Sequence, residues 1–244
     1  MSLIETNELE KNLKKYKIID CSWHMPQTLR NGFKEYKIKH IPNSIFFDLD
    51  KNSKKETDLP HMLVELGEWE EIVSKMGINN DDEIIIYDNS DVLSACRCWY
   101  NFIYFGHQPK SVKVLNGGFE KWVNENKTTT SEIPNFSRTN YNAIEIKNLV
   151  KNKKEINDNI KKKKFHVIDA RSIERFKGKV KEPREGLRSG NIENSICIPF
   201  NQLINDDKTF KSKKDILDIF NKNFFNLGSD NVVFSCGSGV TACV

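Results

Sequence analysis

The stretch KIIDCSW, residues 17–23, and its counterpart HVIDARS, residues 166–172, decide the fold. Each opens on an apolar, isoleucine- or valine-bearing run of the kind that fills a buried strand. Two further pairs follow in the same order: HIPNSIFF (40–47) with NIENSICI (191–198), and EIIIYDNSD (83–91) with NVVFSCGSG (231–239). The offsets between partners are 149, 151 and 148 residues, so the two halves keep nearly one register and read as an internal repeat.

Outward from these runs, short Ile- and Val-rich segments alternate with longer stretches whose apolar residues recur at helical spacing. Strands are predicted at 16–19, 44–47, 83–87, 112–115, 166–168, 195–198 and 232–235, and helices at 68–76, 95–105, 119–124 and 214–220. The fold class is α/β, with mainly parallel sheets flanked by helices. A polar stretch with three consecutive threonines, Thr128 to Thr130, and Pro134 reads as a linker. The expected organisation is a first domain at 1–126, a linker at 127–142 and a second domain at 143–244.

Composition fits a soluble globular protein and narrows its partners. Of 244 residues, 38% are hydrophobic and 30% charged, and the net charge of +4 is small beside 38 basic and 34 acidic side chains. Lysine runs such as Lys161 to Lys164 lack the aromatic interleaving of a nucleic-acid footprint, so no nucleic acid is expected. The first 17 residues mix glutamates with lysines and have no signal-peptide core, and no window approaches the ~20 apolar residues of a membrane span. Six cysteines in a chain of this length, without an export signal, point to reduced thiols in a cytoplasmic setting. The spacings Cys96-Arg97-Cys98 and Cys236 to Cys243 make no zinc knuckle, and neither a metal nor a cofactor is expected.

The chemistry concentrates where the strand 232–235 delivers Cys236 into Gly237-Ser238-Gly239-Val240-Thr241. Glycines allow a tight turn with backbone N–H groups facing inward, and a helix is expected to begin there. Both favour negative charge, so the loop suits a thiolate or a persulfide. A structural cysteine at a strand end is the competing reading.

CGSGVTAC, residues 236–243, resembles the active-site loop of the 3-mercaptopyruvate sulfurtransferases, within the rhodanese superfamily. The resemblance extends through CSWHMP, HIPNSIFFDLD, HML, LNGGFEKW, DARSIERFKG and EPREG, from about Ile19 to the end of the chain. It implies two tandem rhodanese-like domains, with the nucleophile only in the second. Asp88 stands at the equivalent position of the first, and a carboxylate cannot accept a sulfane sulfur. It further implies that Arg175 and Arg184 grip the donor's carboxylate and keto group, for which guanidinium forks suit better than ammonium. Ser238, His61 and Asp50 fall on a proton relay proposed for the family, with His61 and Asp50 contributed by the first domain.

The implied reaction moves sulfur from 3-mercaptopyruvate to Cys236 and then to a thiol such as thioredoxin or glutathione, or to cyanide, releasing pyruvate. Thiosulfate-using relatives carry basic residues after the cysteine, whereas Gly237 and Ser238 are uncharged. The family's second domain continues through a further helix and strand, so this one is expected to be C-terminally truncated, with unpaired strand edges and doubtful activity. Glu193 and Asn194 replace the family's Pro-Gly at a turn that should tolerate the change. Two other classes compete. The phosphatases of this fold need an arginine six positions after the cysteine, where Ala242 stands here. Non-catalytic rhodanese-like binding proteins usually lose the cysteine, which is kept.

Overall fold

The computed structural model describes residues 2–223 and 231–244. The chain forms two compact units: residues 1–147 with 207–209, and residues 148–206 with 210–244.

The first unit opens with β1 (Leu3–Ile4) and α1 (Thr6–Lys11), followed by β2 (Lys17–Asp20), α2 (Gly32–Ile38) and β3 (Ser44–Phe46). It continues through α3 (Leu66–Lys75), β4 (Ile84–Tyr87), α4 (Ser94–Tyr104), β5 (Val112–Leu115) and α5 (Gly118–Asn124). The strands pair in parallel in the order β1-β5-β4-β2-β3. Successive strand side chains point to opposite faces, yet every residue of β4 is buried, so both faces of the sheet are covered. On one face Ile18, Ile85 and Tyr87 pack with Leu9 of α1 and with Phe119 and Trp122 of α5. A separate aromatic stack joins Trp69 of α3 to Phe47, Phe102 and Phe105, with the Trp69 and Phe105 rings 4.8 Å apart and nearly parallel.

The second unit contains α6 (Lys153–Lys162), β6 (His166–Asp169), α7 (Ile173–Phe176), β7 (Ile196–Cys197), α8 (Lys213–Lys222) and β8 (Val232–Ser235). Its sheet is parallel, in the order β7-β6-β8. Ile168, Ile198, Leu203 and Phe220 form its core. Among the described residues β8 is an edge, with Phe234 43% exposed, whereas its counterpart β4 is flanked by β5.

The sequence repeat is repeated hydrogen bond for hydrogen bond. Phe47 N–H donates to Asp20 O at 2.8 Å, and Ile198 N–H to Asp169 O at 3.0 Å. Cys21 N–H donates to Tyr87 O at 2.9 Å, and Ala170 N–H to Ser235 O at 2.8 Å. Each strand-ending aspartate accepts the N–H two residues on: Asp20 from Ser22 and Asp169 from Arg171. The turns before β3 and β7 also match. Asn43 and Asn194 both adopt left-handed φ, 64° and 63°, and the next serine in each case bonds back to the carbonyl three residues earlier. Asparagine is among the few non-glycine residues that enter this region readily, which explains why Asn194 serves where a Pro-Gly was expected.

Residues 127–142, read as a linker in sequence, lie against the first unit. His40 and Thr130 exchange backbone hydrogen bonds of 2.8 and 2.9 Å, and Tyr141 is buried, its hydroxyl 3.1 Å from His107 Nδ1. No helix among the described residues is long and apolar enough to cross a membrane.

Candidate active site

β8 ends at Ser235 and hands the chain to Cys236, half-buried at the carboxyl edge of the second sheet. The chain then turns through Gly239, which takes φ +73°, a conformation that a Cβ would strain. That turn brings Gly239 N–H back to donate to Cys236 Sγ at 3.1 Å, so a backbone amide faces the sulfur as the glycine pattern suggests. The helix expected at this point takes the form of a single 3₁₀ turn, Thr241–Cys243. Val240, within the loop, is buried.

Both candidate arginines reach Gly237. Arg184 Nη2 donates to the Gly237 carbonyl oxygen. Arg175 comes from α7, whose first turn is capped by the Ser172 hydroxyl. Its guanidinium passes over the loop so closely that a β-carbon at Gly237 would stand 2.9 Å from Nη2. Glycine at 237 therefore leaves room for a cation that another residue supplies.

Two residues absent from the sequence-based site hold this arrangement. Glu182, with its side chain 4% exposed, accepts from Arg175 Nη2 at 2.6 Å and from Arg171 Nη1 at 2.8 Å. Its carboxyl is held below the usual range, first by the Arg175 hydrogen bond. Arg171 also clasps Asp169, with Nη2 to Oδ2 at 2.6 Å. Arg171 and Arg175 are thus balanced by Asp169 and Glu182, while Arg184 makes no ion pair among the described residues. The signal for Glu182 was in the sequence, two positions before Arg184 in EPREG, but its role needed the fold.

In the first unit the loop equivalent to 236–240 is filled by the chain's own carboxylate. Asp88 is buried and accepts N–H groups from Ser90 at 3.1 Å and Ala95 at 2.5 Å. Burial pushes its carboxyl up to about 6. An amide cradle that holds a permanent carboxylate offers no nucleophilic sulfur.

His61 and Asp50, in the same unit, are brought together. His61 Nε2 lies 2.9 Å from Asp50 Oδ1, and that hydrogen bond is the first cause of the lowered Asp50 carboxyl pKa. Among the described residues no group of His, Cys, Asp or Glu could hold a metal ion, and none of the six cysteines is in a disulfide.

Known proteins show the same architecture. The Rhodanese-like domain family matches residues 5–125 and 152–244. The mouse 3-mercaptopyruvate sulfurtransferase is 34% identical over 229 residues, 93% of this chain and 76% of that protein. The rat thiosulfate sulfurtransferase is 32% identical over 251 residues, 99% of this chain and 83% of that protein. The crystal structure of SseA from Escherichia coli, a 3-mercaptopyruvate sulfotransferase, superposes with a TM-score of 0.89 at 27% identity, covering 100% of this chain and 91% of its own. With matches over both halves of the repeat, and with Cys236 in a glycine-rich loop after the strand of the second half, the chain belongs to the rhodanese family.

Proposed function

We infer that the chain is a sulfurtransferase that takes sulfur from 3-mercaptopyruvate onto Cys236 and passes it to a thiol. The observation that carries this reading is the convergence on one loop of a half-buried cysteine, an amide aimed at its sulfur, and two arginines. Relatives of similar identity are named for two donors, so the loop decides between them. Among the described residues Arg171 and Arg175 are ion-paired and Arg184 is not, which matches the single negative charge of a mercaptopyruvate carboxylate. Thiosulfate brings two negative charges and would enter a partly dehydrated site with its second charge unpaired, which is costly.

In the first half-reaction the Cys236 thiolate attacks the donor's sulfur. An S–S bond forms, the C–S bond breaks, and its electron pair leaves on carbon as pyruvate enolate, which takes a proton. In the second, an acceptor thiolate attacks the outer sulfur of the Cys236 persulfide and restores the Cys236 thiolate. Arg175 and Arg184 orient the donor's carboxylate and keto oxygen, and the Gly239 amide faces the charge that sulfur carries before and after transfer. Ser238, His61 and Asp50 form the proposed proton relay, supported on this chain by the Asp50–His61 hydrogen bond. Thioredoxin or glutathione is the proposed acceptor, in a proposed cytoplasmic setting whose reducing character is supported by six cysteines without a disulfide.

Thiocyanate formation from cyanide, with each donor in turn, tests the reading. The account expects kcat/KM for 3-mercaptopyruvate to exceed that for thiosulfate by at least about tenfold, since a single unmatched charge-assisted hydrogen bond costs about 1.5–3 kcal/mol. Equal or better use of thiosulfate would overturn the donor assignment. No thiocyanate from either donor would overturn the activity.

A further inference from the structure

The pair formed by Asp50 and His61 has a third member. Trp23, which ends the fold-deciding stretch 17–23, donates its indole N–H to both carboxylate oxygens of Asp50, each at 3.0 Å. Its ring also meets the His61 imidazole edge-on, with centroids 4.8 Å apart and planes at 86°. The Asp50 side chain is itself largely exposed, at 66%, and among the described residues its carboxylate hydrogen-bonds these two neighbours. The backbone of His61 is held just as firmly. It sits at φ +56°, a conformation that a non-glycine residue keeps only when its surroundings impose it, and the buried Arg97 donates to its carbonyl oxygen at 2.6 Å.

Elementary donor and acceptor counting then settles where the His61 proton resides. An ionised carboxylate only accepts, and the Asp50 carboxyl is held below its usual range, so the ring nitrogen facing it must be the N–H. That nitrogen is Nε2. The neutral ring therefore keeps its lone pair on Nδ1, which is buried and has no hydrogen-bond partner among the described residues. A buried acceptor left unpaired is uncommon, and at a site proposed for proton transfer it has the chemistry of a base awaiting an O–H or S–H group.

We propose that Trp23 is a positioning residue: by clamping Asp50, it locks His61 in the Nε2–H tautomer and makes Nδ1 the proton-accepting atom of the site. This rests on the reading of His61 as a relay member, but its test is separable from that reading. In the alternative tautomer the Nε2 lone pair would face the carboxylate and the Nδ1–H would be buried without an acceptor, so both ends of the ring disfavour it. Trp23→Phe keeps an aromatic ring at this position and removes the N–H clamp together with part of the indole. Asp50 is then free to rotate toward solvent, and the tautomer preference weakens.

Two-bond ¹H–¹⁵N correlation spectra of the reduced, full chain with ¹⁵N-labelled histidine, above the range where imidazole is protonated, report the tautomer of each ring directly. The His61 signals are identified by their loss in His61→Gln. The wild-type ring is expected as the Nε2–H form, and Trp23→Phe is expected to lower the tautomer ratio about tenfold, as is Asp50→Asn, which serves if Trp23→Phe does not fold. A wild-type ring in the Nδ1–H form, an unchanged ratio in a folded Trp23→Phe or, where that variant does not fold, an unchanged ratio in Asp50→Asn overturns the proposal. Turnover is read in the same variants: a shifted tautomer with kcat reduced and KM unchanged supports the whole assignment. A shifted tautomer with unchanged kcat leaves the clamp standing and overturns the relay role of His61.

Discussion

Donor choice turns on charge at the Gly237 loop, and Glu182 is the residue through which that charge can be changed without entering the loop. Placing an arginine at 237, the sequence-level route to a thiosulfate site, would drive a side chain into Arg175, 2.9 Å from the first added carbon. Glu182→Gln instead removes a negative charge behind Arg175. The carboxylate lies 2.6 Å from Arg175 Nη2. A donor gripped on the other side of that guanidinium is then about 8 Å away, where one elementary charge at an effective dielectric of about 20 is worth about 2 kcal/mol. Thiosulfate carries one more negative charge than mercaptopyruvate, so the variant should favour it by about 1–2 kcal/mol after screening, or about 5- to 30-fold in relative kcat/KM. Absolute rates should fall for both donors, because glutamine replaces one of the two acceptor oxygens that hold Arg171 and Arg175 with an NH₂ group that can only donate. The ratio is therefore the quantity to measure, by thiocyanate formation with both donors, and Glu182→Asp, which keeps the charge, should leave it unchanged. A Glu182→Gln ratio within twofold of wild type would refute the charge argument.

Three further outcomes follow from particular contacts. Arg184→Ala should lower kcat/KM for 3-mercaptopyruvate about 10- to 150-fold, from a charge-assisted hydrogen bond of about 1.5–3 kcal/mol, and unchanged steady-state kinetics would remove Arg184 from the site. Trp69→Ala should cost about 3–5 kcal/mol of stability, since a fully buried ring loses its stacking on Phe105 and its edge contact with Phe102, and urea unfolding measures it. Asp20 and Asp88 have carboxyls pushed up to about 6 by burial, so the folded protein holds their protons to higher pH than the unfolded chain does. Their contribution to stability is full below about pH 4 and is lost as pH rises through about 6, at about 3 kcal/mol for a rise of about two in each pKa. Unfolding at pH 4.5 and 7.5 should therefore show a larger loss on raising pH in wild type than in the Asp20→Asn, Asp88→Asn double variant, and equal losses would contradict it.

The strands were legible because they are rich in isoleucine and valine and, in the first sheet, largely buried, and β5 and β8 fall on their predicted bounds. Helices with an apolar stripe, such as α3, α4 and α8, were legible for the same reason. α6 was not, because Lys153–Lys162 carries few apolar residues, although its capping box of Asn152 and Glu155 was in plain view. α2 is likewise short and announced mainly by Asn31, whose side chain accepts from Lys34 N–H. β1 is a two-residue strand, too short for any periodicity to mark.

At the proposed site, motif reading named groups that carry charge or sulfur but not the groups that contact them. Arg175 and Arg184 were expected from the resemblance of their segments to the family's motifs, and Cys236 from its glycine-rich loop as well as from that resemblance. Glu182, Arg171, Trp23 and Arg97 act through contacts between segments that fold brings together, such as Arg97 with His61 across 36 residues. No spacing rule connects such pairs, because the distance is set by the packing of α4 and the loop after β3, not by the sequence between them.

The central claim is that Cys236 carries the transferred sulfur, and peptide mass spectrometry after a single turnover with 3-mercaptopyruvate in the absence of acceptor tests it most directly. The account predicts one added sulfur on the peptide containing Cys236, one pyruvate released per chain, and neither in Cys236→Ser, whose hydroxyl is not ionised near neutral pH and cannot form a persulfide. Sulfur found on Cys197 or Cys243 instead, or an adduct and pyruvate persisting in a folded Cys236→Ser protein, would contradict it.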